Sequence, residues 1–178
     1  MTLAPEERLG QRQSDSWGEF MPTFSEVARD ALNIAFEGLK KDLAPRADYC
    51  DLRDASFDDQ TSIDYSNPRV QNLYLLRYLP AYLAEYTALY SMILHHNYIS
   101  NPIRVLSIGC GCGLDCMGLM LCKDPATGRY LWEDPSRVIY HGVDITRWAL
   151  GERFVDETFK IFLEDAGSWT PPAGALYN

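Results

Sequence analysis

The chain has 178 residues, 47% hydrophobic and 23% charged, which is room for one ordinary domain with a buried core that needs no covalent staples. Sixteen basic against twenty-five acidic residues leave a net charge of -9, so direct nucleic-acid binding is disfavoured unless a local basic patch or another subunit brings the polyanion in. No run reaches the roughly 18 apolar residues that span a bilayer, the polar start MTLAPEERLGQRQSDSWGEF does not read as a secretory signal, and an odd count of five cysteines points to reduced thiols in a cytoplasmic protein.

Residues 1 to 22 read as a polar tail ending at Pro22. From Thr23 the apolar residues Val27, Ala31, Ile34, Ala35 and Leu39 take the spacing of one helical face, which predicts a helix from about Ser25 to Asp42 that stops before Pro45. The stretch Asp48 to Asn67 is rich in Asp and Ser and lacks periodicity, so a surface connection is expected. From Pro68 to Tyr98 the helical signal is strong. Pro80 lies in its middle, lacks a backbone donor and crowds the preceding turn, so two helices or one kinked helix are expected. Tyr74, Tyr78, Tyr82, Tyr86 and Tyr90 recur every four residues and form a stripe down one face. The expectation is a packed face whose hydroxyls reach the surface, with a ligand-facing role as the alternative. His95 and His96 read as residues of the helix carboxyl end.

After Asn101 the pattern becomes βαβ. Ile103 to Ile108 predict a buried parallel strand, Gly109 to Gly113 a glycine-rich turn, and Leu114 to Cys122 a helix. Lys123 to Arg137, with two prolines and a glycine, predict a loop. Val138 to Ile145 predict a second strand, Trp148 to Phe159 a second helix, and Lys160 to Ala166 a third strand. The expected fold is therefore α/β, a Rossmann-like doubly wound parallel sheet, incomplete over residues 102 to 178, behind a helical region over 23 to 101.

The chemistry concentrates in VLSIGCGCGLD, residues 105 to 115. A strand that turns sharply into a helix brings backbone close to a ligand, and glycine leaves no side chain in the way. The spacing separates the families that use this device. In the dinucleotide fingerprint G-x-G-x-x-G the third glycine would fall at Leu114, whereas here it comes at Gly113, and no G-K-[ST] follows to make a Walker loop. Cys110, Cys112, Cys116 and Cys122 are close enough in sequence to suggest a metal or iron–sulfur site. The favoured reading is that they are small residues of the turn and packing groups of the helix, with no metal.

G-x-G-x-G after an apolar strand resembles motif I of the class I S-adenosylmethionine-dependent methyltransferases. The resemblance covers residues 103 to about 169 and implies that Gly109, Cys110, Gly111 and Gly113 wrap the methionine and ribose portions of S-adenosylmethionine. It further implies that Asp144 and Ile145, at the end of the GVDIT strand, hold the ribose side, since a carboxylate offers two acceptor oxygens to two hydroxyls. Asp165 and Ala166 would serve the adenine. Ser107 stands where the family often carries an acid. Asp115 is read as a helix-start acid, or else as its substitute. The upstream helices look like those that cover the cofactor pocket in several such families, with Arg77 a candidate for the cofactor carboxylate against a surface ion pair. The resemblance names neither the acceptor nor the catalytic residues. The family's sheet has seven strands, so sequence beyond Asn178 or another chain is expected to supply the rest and to meet an exposed sheet edge in a homo- or hetero-oligomer. The alternative is a non-catalytic cofactor-binding or interaction module derived from a methyltransferase.

Overall fold

The computed structural model describes residues 24–42, 63–96, 101–151, 158–175 and 177. The expected tail over 1 to 22, most of the connection before Asn67, and the middle of the helix expected after Trp148 lie outside the described residues.

Helix α1 spans Phe24–Asp42, with Glu26 in its first turn and Lys40 and Lys41 in its last, where each charge complements the helix dipole. Its buried stripe is Ala28, Ala31, Ala35 and Leu39, while Ile34 faces outward. The alanines keep that face narrow, and α1 packs it against α2, Pro68–His96. Helix α2 runs unbroken through Pro80. Leu75, Leu79 and Leu83 are almost fully buried on both sides of the proline, each burial stabilising by about 1.5–3 kcal/mol. Pro80 itself is exposed, so its ring displaces no core side chain. Packing of the leucine face thus overrides the local penalty. His95 and His96 are exposed at the carboxyl end of α2.

Strand β1 (Ile103–Ile108) leads through the glycine turn into helix α3 (Leu114–Met120). Strand β2 (Val138–Asp144) and strand β3 (Phe159–Leu163) complete a three-stranded parallel sheet of order β1-β2-β3. Ile103 pairs with Val138 and Ile108 with Val143, so the ends of β1 and β2 are level where the glycine turn begins. The third strand starts one residue earlier than expected and ends at Leu163. Asp165 and Ala166 therefore follow it in a turn. The stretch 123 to 137 is a loop with two 3-10 turns, Leu131–Glu133 and Pro135–Arg137, tied down by the Arg137 to Asp124 ion pair at 3.0 Å.

Two apolar clusters meet along α3. One joins α1, α2, Leu114 and Met117 to Trp148 and Leu150. The other places Cys116, Leu119 and Cys122 against Val138, Tyr140 and Phe159 of the sheet. Gly118 is a point of close approach between α3 and α2, since a Cβ there would stand 2.6 Å from Cβ of Tyr86. The result is a mixed α/β unit with a parallel sheet. Among the described residues no helix is long and apolar enough to cross a membrane.

Candidate functional site

The turn after β1 is built by its own backbone. The Gly109 and Cys110 amides donate to the Val143 carbonyl at 2.7 and 3.3 Å, and the Gly113 amide donates to the Cys110 carbonyl at 2.9 Å. Gly109, Gly111 and Gly113 all have positive φ, at 69°, 55° and 78°. At Gly111 the cost of a side chain would be conformational, because a Cβ there would meet nothing closer than the Trp148 ring at 3.8 Å, an ordinary contact.

Gly111 is also bound by the next strand. Its amide donates to Oδ2 of Asp144 at 2.7 Å, and the Thr146 amide donates to Oδ1 of the same carboxylate at 2.7 Å. Each carboxylate oxygen keeps a further lone pair. The two positions singled out from the sequence as glycine turn and strand-end acid are thus in direct contact. Ile145, next in the chain, is 76% exposed, a large apolar surface beside that acid.

Above the turn lies a cavity of about 750 Å³, within the size range of sites for nucleotide-like ligands. Gly109, Cys110 and Gly111 form one wall and Asp144, Ile145 and Thr146 the rim. The opposite wall is the tyrosine stripe of α2, with Tyr74, Tyr82, Tyr86 and Tyr90 lining the space. The rings are half-buried and packed on one another, with Tyr78 stacked on Tyr82 at 5.4 Å and Tyr74 edge-on to Trp148 at 5.4 Å. Burial pushes the hydroxyls of Tyr74, Tyr86 and Tyr90 above their ordinary acidity range, so they stay protonated. The stripe is thus both packed and cavity-facing.

Asp115 lines the same cavity from the first turn of α3 and is only 7% exposed. Both of its carboxylate oxygens accept from the Tyr140 hydroxyl, at 2.9 and 3.1 Å. Burial raises its pKa, opposed by hydrogen bonds from Ser107 and Tyr140. Ser107, also on the cavity wall, is thereby linked to the acid that the sequence placed at the helix start.

Gln71 ties two segments beside the cavity together, and it was not among the residues singled out from the sequence. Buried on α2, it donates through Nε2 to the carbonyls of Tyr65 and Arg147 at 2.9 and 2.6 Å, and accepts at Oε1 from the Ala149 amide at 3.1 Å. These bonds pin the segment after β2, which carries Thr146 and Trp148 of the cavity, to the tyrosine-bearing helix. The only sequence signal was a polar residue on the leucine stripe 71, 75, 79, 83, four residues apart each time.

The remaining candidates sit elsewhere. Arg77 is on the exposed face of α2, its guanidinium 5.4 Å from the centre of the Tyr78 ring, and does not line the cavity. Asp165 and Ala166 are exposed and also outside the lining, and Asp165 accepts from the Gly167 amide at 2.7 Å. Cys110 is seated over Gly142, where a Cβ would stand 2.6 Å from its sulfur. Burial, aided by the charges of Asp144 and Asp115, pushes its thiol up to about 12, and burial pushes Cys112 up to about 12 as well. Both are protonated at neutral pH. Among the described residues no three His, Cys, Asp or Glu side chains group to hold a metal ion.

In comparisons with protein-family models, with curated proteins and with solved structures, the chain finds no match.

Proposed function

We propose that this cavity binds S-adenosylmethionine and that the chain is the cofactor-binding portion of a methyltransferase of the class I, doubly wound type. The observation that carries the reading is the contact between the Gly111 amide and Asp144 Oδ2, both of which line the cavity. That arrangement holds a carboxylate with spare acceptor capacity beside a turn with glycine at every second position, which suits a ribose bearing two neighbouring hydroxyls.

The residues present fit the group. The volume suits a nucleoside with an amino-acid extension, Ile145 offers an exposed apolar surface for a base, and the aromatic wall suits a sulfonium cation. No feature asks for a pyrophosphate, because Leu114 fills the place where the dinucleotide fingerprint needs its third glycine. When bound, S-adenosylmethionine supplies an electrophilic methyl group. This chain would contribute orientation and exclusion of water, through Asp144, the glycine turn and the tyrosine wall.

Isothermal titration with S-adenosylmethionine, S-adenosylhomocysteine and NAD tests the reading. Binding of the first two in preference to NAD is expected, and tighter binding of NAD overturns it.

A further inference from the structure

Ile103, Val105, Val138, Tyr140, Phe159 and Ile161 pack in one cluster with Cys116 and Leu119 of α3. Side chains alternate along a strand, so Arg104, His141 and Lys160 project from the opposite face of the sheet. Lys160 is the register partner of His141 on β3, and Arg104 stands two residues before Leu106, its partner on β1. Adjacent strands are about 4.8 Å apart, so three basic groups share a small area. His141 is 8% exposed, and its Nδ1 lies 2.7 Å from the hydroxyl of Tyr177. Phe162 meets the imidazole edge-on at 5.4 Å, and Trp169 lies 5.6 Å from Phe162. The ion pairs among the described residues join Arg29 with Asp30, Lys40 with Glu37, Arg129 with Glu133 and Arg137 with Asp124, so neither Arg104 nor Lys160 takes part in one. Burial lowers the pKa of His141, and the charges of Lys160 and Arg104 lower it further. Burial raises the Tyr177 hydroxyl, and Arg104 draws it back, which places Tyr177 in the same cluster. Like charges gathered in this way, in a chain of net charge -9, repel one another until an anion enters.

We infer that Arg104, His141, Lys160 and Tyr177 form a binding site for a phosphate group on the sheet face turned away from α3. None of the four lines the cavity, so the site is separate from the proposed cofactor site and does not rest on it. The chemistry is that of a dianion. Two fixed cations match a phosphate monoester, which carries about -1.5 to -2 at neutral pH, whereas a single carboxylate would leave one of them unmet. The Tyr177 hydroxyl and the imidazole add hydrogen bonds, and a proton taken up by His141 beside the anion adds a third charge. Two sources offer the group: inorganic phosphate, or a phosphate ester whose aromatic portion lies on Phe162 and Trp169.

The experiment follows the ring protons of the three histidines by NMR while inorganic phosphate or phenyl phosphate is added at constant ionic strength. Phenyl phosphate has an aromatic ring and no ribose, so the proposed ribose contacts at Asp144 do not draw it into the cavity. His95 and His96, exposed at the end of α2, are internal controls. Saturable movement of the His141 resonances alone is expected, with a His141 pKa that rises on binding. Lys160→Gln removes an exposed charge and should weaken the binding by about 5- to 10-fold, and Arg104→Gln, on a different strand, should weaken it likewise. Tighter binding of phenyl phosphate assigns the site to an ester, and equal or tighter binding of inorganic phosphate assigns it to the free anion. His141 resonances that stay still with both probes, that move in step with those of His95 and His96, or that titrate identically in wild type and both variants overturn the site.

Discussion

The Gly111 amide donates to Oδ2 of Asp144 across 2.7 Å, so the end of β2 and the turn after β1 are one mechanical unit. Asp144→Ala removes the acceptor for Gly111 and Thr146 and the proposed ribose contact together. We expect S-adenosylmethionine to bind about 1.5–3 kcal/mol more weakly, the range for hydrogen bonds to a charged group, with a small drop in Tm because both freed amides lie in a partly solvated rim. Calorimetric titration beside a thermal melt checks this. An unchanged dissociation constant would move the ribose contact elsewhere.

Gly111→Val tests the turn itself. A residue with a Cβ at φ 55° costs about 1–2 kcal/mol in backbone strain, and its side chain would enter the ligand space near Trp148. The expected result is a folded protein, seen by circular dichroism, with no measurable cofactor binding. Retained affinity would show that the ligand does not approach this turn.

Much of this unit was legible in the sequence. The glycines and Asp144 are local signals, because a turn at positive φ and a strand-end acid each declare themselves in a few residues. The boundaries of β1 and the start of β2 followed from short apolar runs. What was hidden depends on tertiary partners. The tyrosine stripe reads identically whether it faces solvent or a cavity, and only the position of β1 and α3 opposite it decides. Pro80 suggested a break because the stabilising leucines on both sides act through α1 and α3, which periodicity does not weigh. Gln71 bonds to Arg147 and Ala149, more than seventy positions away, a pairing no local pattern encodes.

Gln71→Leu keeps the size of the side chain and deletes its three hydrogen bonds. The carbonyls of Tyr65 and Arg147 and the Ala149 amide lose their partner in a partly buried place, at about 1–3 kcal/mol for each group left unsatisfied. The variant should melt several degrees lower and bind cofactor more weakly, since the segment carrying Thr146 and Trp148 is released from α2. Denaturant unfolding gives the stability loss, and a wild-type midpoint would show that the latch contributes nothing.

Asp115 gives a pH dependence whose sign follows from its raised pKa. The folded protein holds this proton more tightly than the unfolded chain, whose carboxyl titrates near the ordinary 3.8. Its contribution is therefore full below that value and is lost as pH rises through the higher folded value. Asp115→Asn cannot titrate there. The Tm difference between the two proteins should shift in favour of the Asn variant as pH rises from about 4 toward neutrality, and parallel curves across that range would mean that the carboxyl feels no net burial.

Gly118→Ala probes whether the tyrosine wall must sit where it does. The new Cβ would meet Tyr86 Cβ at 2.6 Å and the Thr87 amide nitrogen at 3.0 Å. Both contacts are at or next to the α2 backbone, so a rotamer change relieves neither, and α2 and α3 must separate. Overpacking of this kind costs typically about 1–3 kcal/mol. Because α2 carries Tyr82, Tyr86 and Tyr90 and α3 carries Asp115, the separation also widens the cavity between them, and cofactor affinity should fall along with stability. Gly128→Ala is the comparison: that glycine has φ 70°, a Cβ on it would meet nothing within 4 Å, and its loop contributes no residue to the cavity lining. It should lose stability through backbone strain alone and bind as wild type does. Thermal melts and titrations of the two variants separate the cases, and a Gly118→Ala protein with unaltered affinity would show that the spacing of α2 and α3 does not shape the site.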